Sequence, residues 1–289
     1  MNNFSEKQNT EELLNLLKFQ RFKYNQVSII STINFVLSVI IPIILGFIGL
    51  LNIPTNIISY INFIGAVCVL VCLWLLLKIK TMKEKAASIQ YLFDIKLFDF
   101  IPNTLICNNI NEIIALSKND KIKKQKGLEN WYSIGNNLEI KDAIFSCQQQ
   151  NIRWDSKLRI FYLSSVIVFC LIAIFVILSI GILKNLLFNT LGTYIFLLVP
   201  IITYCISFLF TATENIKQQK ELKSVFDCYK SKNDISFKDL ASLEEKIFHY
   251  RKDLIKIPNW FFKIFKQSMQ NEADHYAKVE SETYSKSKK

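Results

Sequence analysis

The sequence is short of the residues from which catalytic and metal sites are built. Among its 289 residues there are two histidines, His249 and His275, and a lone helical histidine is more often a surface residue than a ligand. No P-loop, no dinucleotide-binding glycine fingerprint, no HExxH and no CxxC occurs. Cys68 and Cys72 share a helical face, where small apolar side chains pack more readily than they hold a soft metal. These absences argue against hydrolase, nucleotidyl-transfer and metal chemistry. They predict a chain that is not an enzyme and carries no cofactor.

Charge is missing over long stretches. Tyr24 to Leu77, Ile160 to Leu183 and Asn185 to Thr213 contain no Asp, Glu, Lys or Arg. A spanning helix needs roughly 20 apolar residues to cross about 30 Å of hydrocarbon, so the first stretch holds two helices and must turn once. Asn52, Pro54, Thr55 and Asn56 mark that turn. Lys184, Asn185, Asn189 and Thr190 mark a second one. The expected spans are Ser28 to Leu51, Ile57 to Leu77, Ile160 to Leu183 and Leu191 to Phe210. The predicted fold is an all-α membrane protein with four transmembrane helices in two hairpins and a helical cytoplasmic bundle.

Basic residues set the expected orientation. Of 35 Lys and Arg, only Lys184 lies in a hairpin tip, and by the positive-inside rule the other side is the cytoplasm. The chain then divides into a cytoplasmic arm (1–27), a hairpin (28–77), a cytoplasmic segment (78–159), a second hairpin (160–210) and a cytoplasmic tail (211–289). Both termini are expected to be cytoplasmic. The net charge of +11 suits anchoring at the bilayer surface and allows attraction to anionic lipid or a phosphorylated ligand. No cleaved signal peptide is expected, because the first 26 residues are polar. Seven cysteines, four within spans and three facing the cytoplasm, predict no disulfides.

The polar segments read as helices. Asn9 with Glu12 resembles a helix cap, and Ser236 with Asp239 resembles another. No Gly or Pro interrupts the chain from Leu77 to Pro102, from Ile140 to Arg159 or from Glu214 to Lys232, which predicts helices continuing out of the membrane. Leu240, Leu243, Ile247 and Leu254 recur at helical spacing. Such apolar faces must be buried, and their simplest partners are each other. The tail after Tyr284 reads as unstructured.

Polar side chains within the spans are costly in lipid and face a neighbouring helix or water. Ser31, Asn34 and Ser38 form one stripe, and Tyr204, Ser207 and Thr211 another below Pro200, so these six are candidates to line a pore. Hydrogen bonding between packed helices is the alternative. Pro42 and Pro200 permit kinks. The spans hold no charge of the kind that drives ion-coupled transport.

The polar segments also carry a pattern. It comprises Lys7, Gln8, Asn9, Gln20 and Arg21; Gln90, Phe93 and Asp94; Trp131, Tyr132 and Ser133; Cys147, Gln148, Asn151, Trp154 and Asp155; and Arg251, Pro258, Trp260 and Phe261. In order and spacing on a four-span topology it resembles the SMODS-associated four-transmembrane effectors of bacterial anti-phage systems. An arginine is commoner there than Lys7, and an aspartate and a tyrosine are commoner than Asn259 and Phe262.

The resemblance implies an effector of the CBASS type, which binds a cyclic oligonucleotide messenger in the cytoplasm and then permeabilises the inner membrane, with homo-oligomers expected. Polymeric nucleic acid is not an implied partner. Arg or Lys would hold phosphate and aromatic faces would stack on bases. Gln90, Asp94, Trp131, Tyr132, Gln148, Asn151, Arg153, Trp154, Asp155, Arg251 and Trp260 are the candidate ligand-binding residues. For the aromatic residues core or interface packing is the alternative, and for Asp94 and Asp155 a cap or salt bridge. A membrane-anchored adaptor and a constitutive channel or transporter subunit are the other functions compatible with four spans and no catalytic apparatus.

Overall fold

The computed structural model describes residues 4–49, 55–119, 122, 127–133, 138–153, 156–183, 188–231, 235–258, 261 and 264. Its elements, in order, are α1 (Phe4–Lys7), α2 (Glu11–Phe35), a π-helical turn (Val36–Ile40), α3 (Ile41–Gly49), α4 (Thr55–Phe98), α5 (Ile110–Ser117), α6 (Ile140–Arg153), α7 (Ser156–Leu183), α8 (Phe188–Lys230) and α9 (Phe237–Asp253). No strand occurs among the described residues. Four of the helical runs are long and apolar enough to cross a membrane. Large apolar side chains such as Phe63, Leu70, Trp74, Leu77, Phe175 and Phe210 are exposed on them, as helices facing acyl chains require.

Two helices do more than span. α4 has 44 residues and α8 has 43, about 65 Å each at 1.5 Å per residue, roughly twice the hydrocarbon thickness. Both therefore run from the membrane region into a polar head without a joint. α2 packs antiparallel along α4: Gln20 Nε2 donates to Gln90 Oε1 at 2.9 Å, and Ser38 Oγ donates to Cys72 Sγ at 2.9 Å. The separations along the two helices are equal, 20 to 38 and 90 to 72, so the pair stays in register from head to bilayer.

The π turn has a local cause. Pro42 has no amide hydrogen to give to the carbonyl four residues back, and the Ile41 amide donates instead to the carbonyl of Val36, five residues back. Pro200 lies inside α8, in the opposing hairpin.

The head draws on three separated pieces of chain, as the amphipathic segments predict. Leu13, Leu16 and Leu17 of α2, Ala87 to Phe98 of α4, Ala143, Ile144 and Cys147 of α6, and Leu240 and Phe248 of α9 form one core. The expected capping box at Ser236 and Asp239 is present.

Several boundaries differ from expectation. The cap residue of α2 is Thr10, because Asn9 spends its side chain on the carbonyl of Ser5 and on Asn130. Thr55 and Asn56 belong to α4, and Asn189 and Thr190 to α8. The run from Ile140 to Arg159 contains the end of α6 and the start of α7; Trp154 and Asp155, between them, lie outside the described residues, as do Pro54, Lys184, Trp260, His275 and the tail after Tyr284.

Candidate functional site

At the centre of the head a network of charged and polar side chains is closed off from solvent. Asp94 on α4 and Glu244 on α9 are 0% exposed, and Arg251, in the last turn of α9, is 6% exposed. Arg251 Nη1 donates to Asp94 Oδ2 at 2.7 Å and to Glu244 Oε1 at 3.3 Å. Tyr132 gives its hydroxyl to Asp94 Oδ1 and receives Asn151 Nδ2, both at 2.6 Å. Gln148 of α6 donates to Glu244 Oε2 and to the carbonyl of Leu240. Gln8 fixes the backbone of Tyr132 through both its N–H and its C=O. One cation with two carboxylates would leave an uncompensated buried charge, which is expensive.

A proton on one acid would resolve that charge. Burial pushes the Glu244 carboxyl well above the usual carboxylate range, and the neighbouring Asp94 pushes it further, a direction that favours the protonated acid. Burial also raises the Tyr132 phenol well above its usual range, reinforced by Asp94. For Arg251 burial alone favours the neutral form, but the two acids opposite outweigh it and the guanidinium is held more firmly charged.

The network is joined to the membrane region by the chain after α9. Asn215 of α8 donates to the carbonyl of Asp253 and accepts the amide of Ile255, both at 2.9 Å. Lys83 of α4 donates to the carbonyls of Asp253 and Leu254 at 3.2 and 3.3 Å. Arg159 of α7 donates to the carbonyl of Ile255. Ile255, Ile257 and Phe261 then bury themselves against Tyr162 and neighbouring side chains of the spans. Residues 253–258, with Phe261, thus form a strap tied to α4, α7 and α8.

Beneath the strap is a cavity of about 710 Å³ between the spans. Five residues singled out by the sequence, Ser31, Asn34, Tyr204, Ser207 and Thr211, converge on it. The sixth, Ser38, lies just below with Cys72, in a void of about 10 Å³ that Leu76 and Tyr204 share with the larger cavity. Among the described residues, the charged groups of the lining sit at the strap end: Lys80, Lys83, Glu214, Asp253 and Lys256. The aromatic wall includes Phe35, Tyr162, Phe169 and Phe208, with Tyr204 and Phe208 stacked at 5.7 Å between ring centroids.

The candidate ligand-binding residues are therefore distributed unevenly. Asp94, Tyr132, Gln148, Asn151 and Arg251 are brought together, but they are spent on one another. Gln90 is buried against Gln20. Trp131 is half-buried at the side of the head, with the Arg21 guanidinium 5.8 Å from its ring centroid. Arg153 closes α6. Trp154, Asp155 and Trp260 lie outside the described residues.

Sequence reasoning missed Glu244, Lys83 and Asn215. Glu244 carried a signal, since it and Arg251 are seven residues apart on the face that Leu240 and Ile247 define as buried.

The chain matches the family described as the SMODS-associating 4TM effector domain over residues 2–279. It is 26% identical over 281 residues to a protein of Bacillus cereus (strain VD146) described as a probable CBASS effector molecule, covering 89% of this chain and 91% of that protein. No solved structure matches the chain.

Proposed function

The chain belongs to the SMODS-associating 4TM effector family, and from that premise we propose that it is a non-enzymatic anti-phage effector of the CBASS type. In this reading a cyclic oligonucleotide messenger binds the helical head, on the cytoplasmic side of a bacterial inner membrane, and the spans respond by permeabilising that membrane as a homo-oligomer.

The observation that carries the reading is the continuity of α4 and α8. Each bears head residues at one end and cavity residues further down the same rigid rod: Asp94 and Lys83 on α4, Phe226 and Ser207 on α8. A ligand that shifts α9 against α4 thereby acts on the strap and on the cavity wall. Ser31, Asn34, Ser207 and Thr211 supply polar groups for a water path once the spans separate. Trp131 and Arg153, with Trp154, Asp155 and Trp260, are proposed messenger contacts. Phosphate contact through Arg251 would require its pair with Asp94 to open, which also couples binding to movement.

The test is conditional toxicity. Expression of the chain alone should be tolerated, and co-expression with a cyclic-oligonucleotide synthase should depolarise the cells. Killing with the membrane potential intact would favour an adaptor. Reporter fusions after residues 2, 121 and 289 should report the cytoplasm.

A further inference from the structure

We propose that the cavity beneath the strap is a binding site for one anionic glycerophospholipid, with its phosphate at the Lys80–Lys83–Lys256 end and its acyl chains along the aromatic wall. This inference stands independently of the messenger reading, because it rests on the cavity's own lining.

The volume of about 710 Å³ is within the range of roughly 300–1,000 Å³ typical of ligand pockets. Its chemistry is graded along the spans. From Lys83 down to Leu76, both lining residues of α4, the wall changes over about 10 Å from ammonium groups to aliphatic and aromatic side chains. That gradient matches a molecule with one charged head and an apolar body. A cyclic oligonucleotide carries phosphates around its whole ring, and its lower half would meet Phe35, Phe169 and Phe208 with no cation nearby.

Charge at the upper end favours a single anion. Lys80, Lys83 and Lys256 face Glu214 and Asp253, leaving one net positive charge. Lys83 spends two of its three N–H donors on the carbonyls of Asp253 and Leu254, so one donor is available to a phosphate oxygen. Lys80 is exposed at the cavity edge. Basic pockets between spans at the headgroup level are where anionic lipid is held.

The membrane-side end of the cavity, level with Leu76, contains the second, independent sign of a ligand. Asn34 is 2% exposed, and its Oδ1 has no hydrogen-bond partner among the described residues. A buried amide oxygen without a donor is uncommon. A phospholipid with one acyl chain, whose glycerol backbone keeps a free hydroxyl on the membrane side of the phosphate, would supply that donor.

The experiment uses the full chain purified from membranes in mild detergent, with bound phospholipid measured by native mass spectrometry and after organic extraction. The expected result is about one phospholipid retained per chain, with phosphatidylglycerol preferred about tenfold over phosphatidylcholine when each is added back. Ser207→Trp, which fills the cavity, should lower retention about tenfold with the helical circular dichroism unchanged. Lys80→Gln should keep the lipid and lose the headgroup preference. Should Ser207→Trp fail to insert, Ser165→Phe on the α7 wall gives the same reading. Equal lipid content in the wild type and the filled variants would mean a merely annular shell and would overturn the proposal. So would cyclic di-adenylate binding that removes the lipid from the wild type.

Discussion

Arg251 Nη1 and Asp94 Oδ2 are 2.7 Å apart in space and 157 positions apart in sequence. This ion pair ties the last turn of α9 to the middle of the head portion of α4, and two residues beyond Arg251 the strap begins. The position of Arg251 therefore sets where the strap starts, and the strap roofs the cavity between the spans. A buried ion pair of this kind contributes little net stability, but breaking it from one side is costly.

Asp94→Ala leaves Arg251 with Glu244 as its remaining acid and the buried Tyr132 hydroxyl without its acceptor, and it should destabilise the head by about 3 kcal/mol. The double variant Asp94→Leu with Arg251→Met removes both charges and should recover most of that loss. Denaturant unfolding of the detergent-purified proteins, followed by far-ultraviolet circular dichroism, measures both. A loss under about 1 kcal/mol for Asp94→Ala would mean that the pair is open in solution.

Glu244 makes stability depend on pH in a defined direction. Its folded-state pKa is raised above the ordinary value of 4.5, so the folded protein keeps a proton that the unfolded chain releases. The stabilisation is complete below about pH 4.5 and declines as pH rises from there toward the folded-state value. Glu244→Gln mimics the protonated acid, and its stability should be flatter with pH in that range. Relative to the wild type, the variant should gain as pH rises above 4.5. Parallel pH profiles for the two proteins would show that Glu244 is ionised in the folded state.

Asn215 holds the strap through two hydrogen bonds. Asn215→Ala removes both and leaves the Ile255 amide without its acceptor. At about 1 kcal/mol per bond, exchange of that amide with deuterated solvent should accelerate by about tenfold or more, while amides in the head core, such as Leu92, keep their rates. An unchanged rate at Ile255 would mean that Lys83 and Arg159 hold the strap without help.

The spans were legible because charge is so costly in hydrocarbon that a charge-free run of spanning length has few other meanings. The amphipathic helices of the head were legible for a related reason, since Leu240, Leu243 and Ile247 recur at a spacing that only burial explains. The grouping of Asp94, Tyr132, Gln148, Asn151 and Arg251 was visible as a pattern. Its burial was not, because residue types alone do not show whether a guanidinium faces solvent or a carboxylate from another segment. Glu244 stands beside Glu245, and residue type alone does not tell that Glu244 is the fully buried one of the two. The strap was invisible for a physical reason: its hydrogen bonds go to the backbone of residues 253–255, and backbone partners leave no mark in side-chain identity. The two polar stripes in the spans were legible one at a time. Their meeting in one cavity depends on how the hairpins dock.

Gating of the spans by the head is measured in proteoliposomes. The purified chain is reconstituted into potassium-loaded vesicles, and potassium efflux is followed as a panel of cyclic oligonucleotides is added. No efflux is expected without a ligand, efflux is expected with at least one member of the panel, and Arg153→Ala should lose that efflux, with insertion checked by vesicle flotation. Binding of a cyclic oligonucleotide with no efflux, or efflux at the same rate with and without ligand, would contradict it.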